Sequence, residues 1–468
     1  MTKKEKPLSH GQVALLGAEK LAEILLDAVW KDEALEGRLR RELAARGPDD
    51  GLATLIRSQL DELARHDFVS WREASQLAGE IDALRQSIVE NVLPSSPRLA
   101  ADLLGEIAAE EGAILEGVDD SGGDVGGALE RIVGDWGAAW AAVDDRDPDA
   151  IANIVLEALE ASDYGTRDGI VTAFGNALGG DGLQRIEDLT RSVMKSRPRR
   201  HPDRDTWDPK WSRLCRVLKD VADAKSDPDL FVEALQLDGT VEMYRAGIAE
   251  RMLRTGRADE ALQWVEDADE NDFRHGYEIA RAKAAALEAL RRREEAQEVR
   301  WRRVEACLDL EMLKSFLCKL ATARERERAK KRAVRIASAH EEVHQGVRFL
   351  MELSELKAAA RLVSHRIEEL DGSAYQLLES TADGLSRQHP AAATLLYRRM
   401  VESVLDRGRS TAYDHAARDL RRAAACARRA GRSGKVESHA RFLARLRERH
   451  GRKRAFWSRV VNRSSSSG

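Results

Sequence analysis

The chain has 468 residues, of which 34% are charged and only 5% aromatic, and its net charge is −5. That length exceeds what a single core usually fills, so two units or a repeat array are expected. No apolar run approaches the ~20 residues that cross a bilayer, the N-terminus lacks the apolar stretch of a signal peptide, and no C-x-x-C pair occurs, which argues against a membrane span, a secreted disulfide scaffold and a zinc ribbon.

Cys215, Cys307, Cys318 and Cys426 are instead expected as reduced, mostly buried thiols of a cytoplasmic protein. Ala, Leu, Arg and Glu dominate, all of which lose little freedom in a helix. Alternating runs of Val, Ile and Thr are nearly missing, so the class expected is all-α.

In chain order, AEKLAEILLDAVW sets Leu21, Ile24, Leu25 and Ala28 on one helical face. DEALEGRLRRELAAR follows and stops at Gly47-Pro48. Two further amphipathic helices precede Pro94, and another runs through SPRLAADLLGEIAAEEGAILEG. The glycine-rich break VDDSGGDVGG (Val118–Gly127) comes next, and helical periodicity then resumes from Ala128 to about Lys195. Residues 1–195 are therefore read as an N-terminal helical bundle or solenoid. Ser196–Pro209, SRPRRHPDRDTWDP, carries three of the ten prolines and no apolar face, which reads as a charged linker.

Beyond the linker the pattern repeats. GRADEALQWVEDA begins at Gly256 and RRREEAQEVRW at Arg291, an offset of 35 residues, close to the tetratricopeptide period of about 34. Ala249, Gly256, Ala261 and Ala268 fall where small residues let paired helices approach, and Val265 supplies an apolar contact. In the second copy Arg291 replaces the turn glycine. SELKAAARLV and GKVESHARFL read as more degenerate echoes. Residues 210–455 are expected to form a tetratricopeptide-like α-solenoid, each pair burying its apolar face on its neighbours, with 456–468 as a C-terminal tail. Trp30, Trp71, Trp136, Trp140, Trp207, Trp211, Trp264 and Trp301 fall mostly beside Ala and Leu and read as packing between repeats.

Three stretches invite a chemical reading. HEEVH, residues 340–344, spells the H-E-x-x-H pattern in which His340 and His344 would hold zinc and Glu341 would activate water. The charged Glu342 inside it, and the lack of a framed third ligand, favour an ordinary amphipathic repeat helix, leaving a zinc peptidase as a remote alternative. In VDDSGGDVGG, Asp119, Asp120, Ser121 and Asp124 would form an anion or metal loop. Neither the phosphate-loop nor the EF-hand spacing fits, and aspartates in an interhelical turn commonly cap the next helix. The C-terminus is basic: Val401–Arg463 holds 18 Lys and Arg against 6 Asp and Glu. Arg447, Arg449, Arg452, Lys453, Arg454 and Trp457, with Phe456, form a candidate patch for nucleic acid. Neutralising ~5 phosphates would give a log–log salt slope of about −4 to −5. The same helices would equally face the acidic remainder of the chain.

LAEILLDAVWKDEALEGRLRREL, VDDSGG, DYGTRDGIVTAFGNALGGDGL, GRADEALQWVEDA, EEAQEVRW, HPAAATLLYR and HARFLARLRERHGRKRAFW carry a wider likeness. Through them the chain resembles an uncharacterised bacterial family of long α-helical repeat proteins, known only as a domain of unknown function. Its C-terminal part is similar to the helical region accompanying SWIM-type zinc fingers, without the C-x-C…C-x-H ligands. The resemblance implies a fold and no catalytic residue. No Ser/His/Asp or Cys/His set and no cofactor motif emerges. The function expected is a non-enzymatic scaffold holding a protein or peptide partner, with nucleic-acid binding as the alternative and no membrane association.

Overall fold

The computed structural model describes residues 9–30, 32–47, 49–65, 67–196, 208–272, 274–431 and 436–461. Among them the regular structure is helical, apart from one isolated parallel bridge between Val69 and Val118. The fold is all-α. Two compact units divide the chain at Met1–Tyr244 and Arg245–Gly468. Residues 197–207 of the expected linker, Trp207 included, lie outside the described residues. The helices that flank it pack on each other within the first unit, so the segment after Pro209 that the sequence reading joined to the C-terminal array belongs, up to Tyr244, to the N-terminal unit.

Unit 1 begins with α1 (His10–Ala14), α2 (Ala18–Val29), α3 (Glu33–Ala44) and α4 (Asp49–Leu63). Then come α5 (Ala74–Ser87), extended by a π turn over Ile88–Val92, α6 (Pro97–Ala109), α7 (Glu111–Glu116) and α8 (Asp124–Ala141). The unit closes with α9 (Pro148–Glu160), α10 (Ile170–Ala173), α11 (Gly175–Ser196), α12 (Pro209–Lys225) and α13 (Pro228–Asp238). Three of these start identically: Asp147, Asp208 and Asp227 each cap a helix whose first residue is proline, so one side chain satisfies an end amide while proline presets φ.

α8 is the axis of the unit and packs against α5, α6, α7, α10 and α11. Its buried face runs through Val125, Leu129, Ile132, Val133, Trp136 and Trp140. Gly137 allows the closest approach, since a Cβ there would stand 2.2 Å from the Ala173 carbonyl oxygen. That approach brings Trp136 edge-on to Phe174, with ring centroids 5.0 Å apart. Cys215 is fully buried near the end of the unit, and burial pushes its thiol pKa up to about 12.

Unit 2 is a stack of helices: α14 (Arg245–Arg254) pairs with α15 (Ala258–Glu266) and α16 (Gly276–Ala289) with α17 (Arg293–Cys307), α18 (Leu310–Cys318) packs back on α17, and α19 (Ala323–Ala339) packs on the helix after it. α20 (Val343–Glu352) and α21 (Leu356–Arg366), α22 (Tyr375–Leu385) and α23 (Pro390–Asp406), then α24 (Tyr413–Ala430), α25 (His439–His450) and α26 (Arg454–Val461) complete it. Many of these helices contact both a nearest and a next-nearest neighbour in sequence, as α14 does α15 and α16 and α21 does α20 and α23, the pattern of a stacked array.

One turn recurs. Gly256, Arg291 and Ser354 have φ of 78°, 62° and 62°, and in each case the following amide donates back across the turn: Arg257 to Met252, Arg292 to Leu287 and Glu355 to Leu350, all at 2.8 Å. Five residues after each turn residue stands a fully buried alanine, Ala261, Ala296 or Ala359. The repeat is thus a left-handed helix ending followed by a small residue where two helices meet. Of the remaining echo, GKVESHARFL, Gly434 and Lys435 lie outside the described residues, and Ser438 caps α25.

Two expectations change here. Cys318 is exposed and Cys307 half-buried, so only Cys215 and Cys426 are buried thiols. The start of the expected tail is α26, whose Phe456 is fully buried against Tyr413, Leu420, Phe442 and Leu446. Residues 462–468 lie outside the described residues.

Arg291 and Ser354 hold a conformation that costs an L-residue about 1–2 kcal/mol. Arg291→Gly and Ser354→Gly are expected to stabilise the protein by up to about 1 kcal/mol each, after the greater freedom of glycine in the unfolded chain is subtracted. Ala359→Leu should destabilise it by about 1–3 kcal/mol through overpacking. Denaturant melts of the full chain measure all three.

Candidate functional site

In unit 1 two loops far apart in sequence meet over a cleft of about 460 Å³, lined by Leu115, Asp120, Gly126, Glu130, Tyr164 and Thr166 among others. One wall is the turn before α8, the other the loop between α9 and α10. The second loop is set by a buried carboxylate. Glu111, 1% exposed, accepts hydrogen bonds through Oε1 from Ser162 Oγ (3.1 Å), Thr166 N–H (3.0 Å) and Thr166 Oγ1 (2.5 Å). Its Oε2 faces Arg167 Nη2 at 3.2 Å, an ion pair too oblique to count as a hydrogen bond. Arg167 also donates to the Ala158 carbonyl at 3.0 Å. Between the two anchors Gly165 adopts φ 81°, a glycine conformation, and the chain turns Tyr164 outward to 48% exposure.

The first wall is equally committed. Val69 N–H donates to Gly117 (2.8 Å) and Asp119 N–H to Val69 (2.9 Å), forming the isolated bridge. Asp120 caps α8 with both oxygens, accepting from Val125 N–H at 3.0 Å and Gly126 N–H at 2.8 Å. Asp119 Oδ1 accepts from Ser121 N–H at 3.3 Å. Asp124 is exposed in the first turn of α8, where its charge complements the helix dipole. The predicted loop residues Asp119, Asp120, Ser121 and Asp124 are therefore adjacent but turned to backbone duties. The amides at Val125 and Gly126 that an anion would use are already taken. Among the described residues no group of three or more His, Cys, Asp or Glu side chains is disposed to hold a metal.

A smaller cleft of about 320 Å³ lies on the other side of Gly123 and Gly127, lined also by Asp82, Asp124 and Arg131. Asp82 bonds Arg85 at 2.7 Å and Arg131 at 3.2 Å. The Arg85 hydrogen bond holds its carboxyl below the usual carboxylate range, against the opposing effect of burial. Phe68 and Trp71, on either side of the bridged Val69, are 72% and 59% exposed.

HEEVH does not occupy one helix, contrary to the sequence reading. His340 ends α19 with extended backbone (φ −60°, ψ 141°), Glu342 precedes α20, and only Val343 and His344 are helical. His340 Nδ1 accepts from Glu342 N–H at 3.1 Å, while His344 Nε2 accepts from Asp371 N–H at 2.9 Å. Arg366 clamps the turn by donating to the His340 and Glu341 carbonyls at 2.5 and 3.0 Å. A zincin helix needs both histidines one helical turn apart, and here a bend separates them.

At the basic C-terminus several arginines of the last two helices are paired with acidic neighbours: Arg445 with Glu402 and Glu437, Arg449 with Asp406, and Arg459 with Asp414. Arg447 lies 5.2 Å over the Trp457 ring, and Trp457 is half-buried with Nε1 donating to the His450 carbonyl at 3.0 Å. Phe456 is in the core and cannot stack on a base, which corrects its place in the patch. Arg447, Arg452, Lys453 and Arg454 have no acidic partner within ion-pair distance among the described residues.

Residues 3–459 match a family described as a family of unknown function (DUF6880). The chain belongs to this family. No curated protein matches it. Among solved structures, a circular tandem repeat protein with novel repeat topology and enhanced subunit contact surfaces is similar at 13% identity, over 96% of this chain and 100% of that one, with a TM-score of 0.20. So low a score carries no argument about this family member.

Sequence reasoning singled out the turn at 118–127 but not Glu111, Glu130, Tyr164, Thr166 or Arg167, which complete the cleft. The legible signal was Gly165 within DYGTRDG, a turn glycine among polar residues. Glu111→Gln removes the charge that Arg167 is buried against and is expected to cost roughly 3 kcal/mol in a denaturant melt. Asp82→Asn should destabilise the protein at neutral pH. Because the folded-state pKa of Asp82 is depressed, its contribution is present above the ordinary carboxylate range and lost as pH falls through the folded value, so wild type and variant should converge in acid.

Proposed function

We propose that this protein is a non-enzymatic helical-repeat scaffold of the cytoplasm that holds a protein or peptide segment. The cleft of unit 1 is its contact surface. The observation that carries the reading is the placing of a half-exposed aromatic ring, Tyr164, and the exposed carboxylate of Glu130 around one opening, on loops fixed by a buried ion pair. Rigidly held loops lose little entropy on binding. An aromatic face beside carboxylates suits a segment bearing arginine or lysine. The likeness of the C-terminal part to helices that accompany SWIM zinc fingers fits this reading as helical context, and supplies no ligand set.

A second reading is contact with nucleic acid through Arg447, Arg452, Lys453 and Arg454. It is favoured by their lack of acidic partners among the described residues, whereas neighbouring arginines are paired. Four such contacts would give a salt slope of about −3 to −4.

Pull-downs from the native host, with and without nuclease, separate the two. The scaffold reading expects proteins that survive nuclease with the wild type and are lost with Tyr164→Ala/Glu130→Lys, both exposed positions that leave the fold intact. Equal recovery by wild type and variant would remove the cleft from the argument. Material that disappears with nuclease, together with loss of heparin retention on charge reversal at Arg452, Lys453 and Arg454, would instead support the second reading.

A further inference from the structure

The N-terminal helix α2 forms in full and yet contains no buried residue. Leu21, Ala28 and Val29 are half-covered, with α3 packed beside the helix, while Ile24, Leu25 and Leu26 remain 46%, 38% and 62% exposed. Val13, Leu15 and Leu16 before it, and Trp30 after it, are exposed by 36%, 86%, 49% and 89%. At 100° per residue, Leu21, Ala22, Ile24, Leu25, Leu26, Ala28 and Val29 cover an arc of roughly 200°, wider than one neighbouring helix can shield. A 12-residue helix is marginal in water without a partner for its apolar face. On α2 itself Ile24, Leu25 and Leu26 leave on the order of 250 Å² of apolar surface open, and the exposed Val13, Leu15, Leu16 and Trp30 add more in the same segment. Uncovered apolar surface on this scale marks an interaction site.

The charges on α2 indicate the occupant. Its polar side carries Glu19, Glu23 and Asp27 against Lys20 alone. That acidic balance is the reverse of the Lys- and Arg-rich helices that lie on anionic lipid. Lys20 and Asp27 are seven residues apart and so share one flank of the apolar arc. When two identical helices pack antiparallel about a two-fold axis, like flanks face each other. Leu21 then opposes Ala28 and Ile24 opposes Leu25 of the second copy, and Lys20 comes alongside Asp27 twice over. A parallel arrangement would bring Lys20 to the opposite flank, near Leu26, with no such match. We infer that α2 is a self-association element, pairing antiparallel with α2 of a second copy of this chain through Leu21, Ile24, Leu25 and Ala28. Lys20–Asp27 pairs set the direction. Within one copy Lys20 reaches Glu23 at 2.7 Å, an exposed contact that exchange for Asp27 of the second copy loses little by breaking.

The test is sedimentation equilibrium of the full chain up to about 100 μM, with circular dichroism to confirm folding. A dimer is expected for the wild type. Lys20→Glu and Asp27→Lys alone should each weaken it by about tenfold, since two symmetric contacts turn repulsive together. The double variant Lys20→Glu/Asp27→Lys should recover most of the loss. Ile24→Asp should leave a folded monomer. A wild type monomeric throughout would overturn the inference, as would a dimer indifferent to all of these changes. So would α2 amides protected from hydrogen exchange in a monomer, which would mean that the helix docks within its own chain. Binding of the monomer to vesicles of anionic lipid would overturn it too.

Discussion

Burying one carboxylate commits unit 1 to a single arrangement of its loops. A charge as enclosed as that of Glu111 is tolerated when donors meet it and a cation stands beside it, and here Oε1 takes the hydrogen bonds while Oε2 has the ion pair alone. The donors come from Ser162 and Thr166 and the cation from Arg167, all on one short loop, so desolvating Glu111 and folding residues 162–167 are the same event. α12 reinforces the loop from outside, with Arg213 donating to the Leu159 and Ser162 carbonyls and Arg216 pairing with Asp168. The other wall of the cleft is fixed in the same currency of satisfied groups: Asp120 has both oxygens on the amides of α8, and the Val69–Val118 bridge uses the backbone of the chain just before. What remains free at the opening is Tyr164 and the exposed carboxylate of Glu130. A surface assembled in this way is held rigid before anything touches it.

Unit 2 rests on a weaker rule used many times. Each helix pair must turn sharply and then pack closely. The left-handed residue supplies the turn, and the alanine five residues later supplies the clearance. Glycine is the cheapest turn residue and stands at Gly256. Arginine and serine in the same conformation at Arg291 and Ser354 mean that packing on either side over-determines the turn. Buried arginines then cap exposed carbonyls between pairs: Arg303 reaches the Glu270 carbonyl at 2.6 Å, and Gly276 leaves it room, since a Cβ there would meet the same guanidinium at 2.7 Å. A stack built from local contacts of this kind can lose sequence identity between copies and keep its geometry.

Periodicity made the helical class, the α14–α17 pairs and the echo at Ser354 legible, because apolar spacing and small residues write directly to helix faces. It was silent wherever a decisive contact joined distant segments. Glu111 and Arg167 are 56 positions apart, and neither residue has a local pattern that announces burial. HEEVH misled because the stretch has helix-forming composition and no glycine or proline to mark the bend at His340; the stop is set by Arg366, 26 residues on, holding two carbonyls out of the helix. The domain boundary misled for the opposite reason. Prolines and charges around Ser196–Pro209 resemble a linker, yet proline at the first position of α12 starts a helix that packs back on α11. In the C-terminal patch the sequence showed the charges, but their partners lie on other helices, as with Arg445 and Glu402.

Those pairings change what the charge asymmetry means. An excess of arginine in the last sixty residues or so invites an electrostatic partner only if the positive field survives into solvent. Arg445, Arg449 and Arg459 spend theirs on Glu402, Glu437, Asp406 and Asp414, which serve as glue between α23, α24, α25 and α26. The field that remains comes from Arg421, Arg428 and Arg429 on α24 and from side chains around the α25–α26 turn, and the aromatic companion Phe456 is committed to the core. Unit 1 shows the converse. There the buried charges are paired, while apolar residues at α2 and aromatic ones at Phe68, Trp71 and Tyr164 stay uncovered. Uncovered apolar surface is the costlier state in water, and it is unpaired in this chain where the fold is otherwise well satisfied. On energetic grounds the uncovered apolar surface of the N-terminal unit is the costlier feature, whereas the exposed ion pairs of the C-terminus mainly reduce its own positive field.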